Sequence, residues 1–347
     1  MRSAVAAAFS LATTVGILSS SLVAASSDPV VCDCGFQDEN GRIWSEIWHS
    51  DYNTYKANLQ KDKSYIVMNY TVPPKHDDTL ERLFDPANVQ LASQDGESSF
   101  SGLQLAVRKQ DNGQFTSASF GTKREDFMYG TFRASMKTTS VPGTVQAFFF
   151  FRDNTCEIDI ESVSRIQNPW QSYFSVQPQI YNEDGSASNL TNIKDPIDFD
   201  PTADFHEYRF DWTPDAVTYY LDGTEATRLT HNVPRYPGRV LVNHWTDGNP
   251  KFSGLPDQDA FLHVANMTVF FNSSEATAPP ACQQRQTPCS VADIMSQKLL
   301  PASSNSGTSS PPGNNNHESA AAAAFTRYSS VLLYTTVLYT LSFFITA

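Results

Sequence analysis

The sequence has no apolar stripe of helical period longer than about three turns, and no segment of it repeats. A helical bundle and a repeat solenoid are excluded on that ground. Basic residues are scarce: 24 Lys and Arg stand against 37 Asp and Glu, a formal net charge of -13 over 347 residues. An acidic surface repels phosphate backbones, so no nucleic-acid partner is expected. Cysteine is limited to Cys32, Cys34, Cys156, Cys282 and Cys289, an odd number. Aromatic residues, by contrast, reach 12%, with 23 Phe, 14 Tyr and 5 Trp, too many for a disordered chain.

Both ends read as targeting segments. Residues 1–25 begin Met-Arg, continue as a short apolar run and end in small residues at Val23-Ala24-Ala25, the pattern of a secretory signal peptide. Val331–Ala347 is an apolar run that stops at the last residue, preceded by a polar spacer and small residues. That order predicts a GPI-attachment signal, with Ser319 as the anchor site, Asn316 next to it, and 320–347 removed. Residues 301–319 are rich in Ser, Asn, Gly and Pro and read as a disordered stalk. The chain between the two signals, 26–319, carries 22 basic and 37 acidic residues, a net charge of -15.

A secreted chain meets an oxidising compartment. Cys32 and Cys34 are poorly placed to pair with each other and are expected to bond to Cys282 and Cys289, with a local Cys282–Cys289 bridge as the alternative. Cys156 is then left over. Sequons at Asn69, Asn189, Asn266 and Asn272 predict N-glycosylation in surface loops.

From about 40 to 275 the chain consists of short aromatic and β-branched runs between turn residues. Tyr65–Met68, Leu103–Val107, Met128–Met136, Val145–Phe151, Val217–Leu221, Val240–Asn243 and Leu262–Phe271 read as strands, and Asp222-Gly223 as a hairpin turn. Val291–Leu300 reads as one short helix. Many short strands predict an all-β sandwich or jelly roll, a single domain over 26–300.

The segment Glu157-Ile158-Asp159-Ile160-Glu161 alternates strictly, so on a strand the three carboxylates share one face and both isoleucines the other. Crowded carboxylates raise at least one pKa, which is what general-acid chemistry requires. A half-buried strand with a wet acidic face and a calcium site would show the same pattern. Glu157 and Glu161 would lie about 13 Å apart at Cα on a flat strand. A retaining carboxyl pair works at about 5–5.5 Å, so catalysis demands a concave sheet with side chains leaning together across Asp159.

This segment resembles the E-x-D-x-E signature of glycoside hydrolase family 16, in its form without a β-bulge. Tyr129–Ala134, then Phe205–Asp215 with Tyr219–Gly223, then Asn243-His244-Trp245 with Phe252-Ser253-Gly254, resemble further stretches of that family in order. The resemblance covers about 40–275. It implies a concanavalin A-like jelly roll with a concave cleft, with Glu157 as nucleophile, Glu161 as acid/base and Asp159 tuning the nucleophile. It implies a substrate contact at Trp245; Tyr173 is a second candidate, Arg133 is expected either to reach the cleft or to pair with a surface acid, and His206, Asp211 and Trp212 are expected to be structural. On strict alternation Cys156 faces the core, as a buried free thiol or a disulfide partner. Ser162, where many members carry an aromatic, would open one subsite.

The expected substrate is a wall β-glucan, cleaved by endo-β-1,3(4)-glucan hydrolysis. Transglycosylation of the fungal Crh type, crosslinking glucan or chitin, is the alternative, and a non-catalytic carbohydrate-binding wall protein is a third reading. No cofactor or metal is called for. A monomer anchored at the cell surface or wall is expected.

Overall fold

The computed structural model describes Cys32, residues 34–92, 100–274 and 287–296. The signal segments, the stalk, Ser319, Asn316 and Cys282 lie outside these residues. Within the described residues, seventeen strands form one continuous ladder that folds into two stacked antiparallel layers, a jelly-roll sandwich. The outer layer holds Glu46–Asp51, Val89–Ala92, Gly102–Lys109, Phe127–Lys137, His206–Trp212, Val217–Leu221, Thr224–Leu229 and Ala260–Ser273. The cleft layer runs in the order Asn192–Pro196, Trp170–Gln177, Cys156–Gln167, Val145–Asp153, Arg239–Trp245, Phe115–Thr122 and Tyr65–Val67.

The expected strands all form, each within a longer or matching strand except Tyr65–Met68, which ends one residue early at Val67. Val217–Leu221 turns through Asp222 (φ 47°) and Gly223 (φ 77°) into Thr224–Leu229, because two successive left-handed residues reverse the chain with the twist of the hairpin. Val291–Ser296 is the short helix.

Alternation explains the core. Phe132 and Phe210 stack across the outer layer at 4.8 Å, and Phe150 of the cleft layer meets Trp212 at 4.4 Å. Trp212 is fully buried and donates from Nε1 to the Pro234 carbonyl at 2.9 Å, so its one polar atom is satisfied inside. Cys156, Ile158 and Ile160 project into the same core. Cys156 is a free, buried thiol facing away from the three acids, as alternation requires.

The outer face of the outer layer is covered by a small clasp. Phe36–Gln37 pairs antiparallel with Ile43–Trp44 and parallel with Cys289–Ser290. Cys32 is bonded to Cys289, and Cys34 is disulfide-bonded as well. Beneath the clasp, Arg209 donates twice to Asp211, at 2.8 and 2.7 Å, and Arg42 reaches the same carboxylate at 3.0 Å. Arg209 also pairs with Glu39. Asp211 is thus a structural residue, as expected from the sequence.

Candidate active site

Glu157, Asp159 and Glu161 all lie on Cys156–Gln167 and project from its concave side. The strand is central, so its neighbours set the surroundings of each acid. Glu157 is flanked by Phe151 and Gln177, Asp159 by Phe149 and Ser175, and Glu161 by Ala147 and Tyr173. The next strand supplies Asn243 opposite Ala147 and Trp245 opposite Val145. The cleft is lined by the three acids with Ala147, Phe149, Asn243, Trp245, Arg82 and Phe84.

The acids are deeply placed: Glu157 is 4%, Asp159 2% and Glu161 3% exposed. Burial raises the pKa of Glu157 well above the carboxylate range, and the neighbouring Asp159 charge pushes it further. Glu161 is raised by burial first and by Asp159 second. Asp159 is raised by burial to about 7, against the hydrogen bond from Ser175 and the neighbouring Glu157 side chain, which lower it. The Ser175 hydroxyl donates to Oδ2 of Asp159 at 2.9 Å. The Arg82 guanidinium opposes the rise at both glutamates. The result is a set of carboxyls in which a proton is held at neutral pH beside an ionised partner, the condition for acid–base chemistry.

Trp245 and Tyr173 are both in the cleft layer around Glu161, packed with Phe252, Val72 and Phe84. Trp245 is only 1% exposed, and the Arg82 guanidinium lies 4.6 Å from its ring centre. Lys194 stands 5.0 Å over Tyr173.

Arg133 is elsewhere. It sits on the outer face of the other layer, within 3.7 Å of Glu207 and 3.8 Å of Glu39. Of the two expectations for Arg133, alternation decides against the cleft contact and for the pairing with acids: Phe132 and Ala134 fill the core, so Arg133 points outward. Ser162 is corrected in the same way. It follows Glu161 by one residue, so it faces inward beside Tyr208 and opens no subsite. His206 bonds Asp222 at 2.7 Å and stacks on Phe199, securing the hairpin.

Two of the four sequons lie in turn or connecting segments: Asn69 and Asn189 are exposed. Asn266 and Asn272 instead belong to the long strand Ala260–Ser273, half-buried, and Asn272 accepts from the Ser45 amide and hydroxyl at 3.1 Å each. The sequon encodes a chemical acceptor, not a backbone conformation, which is why its loop placement failed there.

Sequence reasoning missed Arg82, Phe149, Asn243, Ser175 and Gln177 as cleft residues. Asn243 was within reach, since it is two residues from Trp245 on one strand. Phe149 follows from the same period. Arg82 carries no local signal, because its position depends on where a hairpin distant in sequence is laid down.

A jelly roll with three alternate carboxyls on one concave strand defines a β-sandwich with an acid–base centre in its cleft. The chain belongs to the glycosyl hydrolases family 16, whose sequence profile matches residues 80–256. It is 34% identical over 143 residues to a β-glucanase of Acetivibrio thermocellus, a match covering 39% of this chain and 37% of that protein. It is 31% identical over 134 residues to Crh-like protein 3 of Botryotinia fuckeliana, covering 35% and 28% respectively. The chain thus spans well under two thirds of the length of these relatives. Among solved structures, a laminarinase catalytic domain from Thermotoga maritima aligns with a TM-score of 0.52 at 18% identity, over 65% of this chain and 97% of that one. At that identity the likeness concerns the fold.

Proposed function

We propose that the chain is a retaining glycosidase of cell-wall β-glucan, acting by endo-β-1,3(4)-glucan hydrolysis. The observation that carries the reading is the row Glu157, Asp159, Glu161, buried side by side on a concave sheet and bordered by Trp245 and Asn243. Family membership and the similarity to β-glucanases support the substrate class.

Glu161, holding its proton through burial, donates it to the leaving glycosidic oxygen. Glu157 passes its proton to the neighbouring Asp159 and, as the carboxylate, attacks the anomeric carbon, forming a glycosyl ester as the bond to the leaving oxygen breaks. Asp159 hydrogen-bonds Glu157 and is held in place by Ser175. Glu161, now ionised, takes a proton from the incoming acceptor hydroxyl, and the ester bond breaks as the new bond to the anomeric carbon forms.

The acceptor decides between hydrolysis and transglycosylation. Transglycosylation is the second reading, supported by the similarity to a Crh-like protein. Secretion, and attachment through a GPI anchor to a fungal cell surface or wall, complete the proposal. They rest on the two terminal segments and the sequons.

The test is incubation of the protein with laminarin, lichenan, curdlan and chitin oligomers, with products read by mass. Shorter products establish hydrolysis, and products longer than the substrate establish transfer. Absence of turnover on the whole panel would overturn both in favour of a binding protein.

A further inference from the structure

The hairpin made by Tyr70–Val72 and Arg82–Phe84 lies across the concave face. Its base is built in. Phe84 and Val72 are buried against Trp245, Tyr173 and Phe252, Tyr70 stacks on Phe84 at 4.6 Å, and Leu83 and Phe84 pair with Thr116 and Ser117. Its tip is different. Residues 73–78 are exposed, and Leu80 is 38% exposed.

The tip is fastened to the far rim at identifiable points. The Leu80 amide donates to the Asp247 carbonyl at 2.6 Å. Leu80 and Leu255 both come within 3.4 Å of where a Cβ on Gly248 would stand, so a glycine at that position permits the close approach. Arg82, 8% exposed, lies on the Trp245 ring and in the field of Asp247, Tyr70, Glu161 and Glu157. The consequence is a closed cleft. Trp245 has no free ring face, and the three acids are at most 4% exposed.

We infer that residues 73–82 form a strap that gates the cleft, with Arg82 as its latch. A neutral pyranose ring takes the place of the guanidinium on Trp245 when the strap opens. A sugar ring and a guanidinium are alternative occupants of one aromatic face, since both are flat groups that bind it through polarised hydrogens. The strap can open without the sandwich, because residues 73–78 are exposed and its attachments to the rim lie at its end, at Leu80 and Arg82. The Pro73-Pro74 pair stiffens its start, so it moves as a unit. The identity of the ligand rests on the glycosidase reading; the latch itself does not.

The experiment has two arms. In the first, hydrogen exchange is followed on the full chain without ligand. The amides of Leu80 and Arg82 are expected to exchange together and much faster than those of Ile158 and Ile160. Strap exchange as slow as that of the triad strand would overturn the gate. In the second, binding of a laminari-oligosaccharide is measured for Glu157→Gln and for Glu157→Gln with Arg82→Ala. The latch predicts several-fold tighter binding to the double variant, because a competitor for Trp245 is gone. Weaker binding would overturn it and make Arg82 a sugar contact. If neither variant binds any glucan while the strap opens as expected in the first arm, the glucan reading fails and the gate stands.

Discussion

Asp159 and Ser175 face each other on adjacent strands, and the Ser175 hydroxyl donates to Asp159 Oδ2 at 2.9 Å. The Ser175 carbonyl in turn accepts from the Tyr219 hydroxyl at 2.7 Å, and Tyr219 belongs to the opposite layer. The middle acid of the row is therefore anchored through the sandwich, not merely through its own strand. An anchored Asp159 fixes the side chain of Glu157, its hydrogen-bond partner. The hydrogen bond and the alternation together turn three acids in a row into a centre with distinct roles.

The roles predict different losses. Glu161→Gln keeps shape but cannot supply a proton, so kcat should fall by about 10²–10⁴-fold on a natural glucan. The loss should be much smaller on an aryl glycoside whose leaving group needs no proton. Glu157→Gln should lose turnover on both substrates alike. Steady-state kinetics on the two substrate types checks this.

The same acids should weaken the fold at high pH. Each has a folded-state pKa above its unfolded value. The stability linked to them is full below the unfolded pKa of about 4 and is lost as pH rises through the folded value, which for Asp159 is about 7. Melting temperature should therefore fall between about pH 5 and 8. Glu161→Gln should melt several degrees above the parent at about pH 8 and level with it at about pH 4. Calorimetry across that range is the check.

How much of this was legible in the sequence follows from range. Alternation placed Glu157, Asp159 and Glu161 together and turned Cys156 to the core, because both depend only on the period of one strand. The same rule, applied to Arg133 and Ser162, would have excluded them from the cleft. There the resemblance was followed instead of the local phase set by Phe132 and Glu161. Arg82 and Phe84 were out of reach: their contact with Trp245 joins residues more than 150 positions apart, and no local pattern encodes it. The loop expectation for Asn266 and Asn272 failed because the strand Ala260–Ser273 runs for 14 residues through both sequons.

Placing Arg133 on the outer face gives a contrast between two arginines. Arg133→Ala should leave KM and kcat for glucan unchanged. Arg209→Ala leaves Asp211 buried with Arg42, at 3.0 Å, as its remaining ion-pair partner, and should cost about 3–5 kcal/mol. Denaturant unfolding, paired with activity measured below the transition, separates the two.

The Cys32–Cys289 bridge spans a sequence separation of 257 and closes the clasp, joining the start of the described chain to Cys289–Ser290 on the layer opposite the acids. Cys289→Ser should lower stability by about 2–5 kcal/mol while leaving kcat near the parent value. Thermal unfolding with an activity assay on the same sample decides it.

The central claim is that Glu157 is the nucleophile of a retaining reaction. It is tested most directly by inactivating the protein with an activated 2-deoxy-2-fluoro-β-glucoside and mapping the adduct by peptide mass analysis. The account predicts a covalent sugar on Glu157, with one equivalent per chain. An adduct on Asp159 or Glu161, or turnover that inverts the anomeric centre with no adduct, would contradict it.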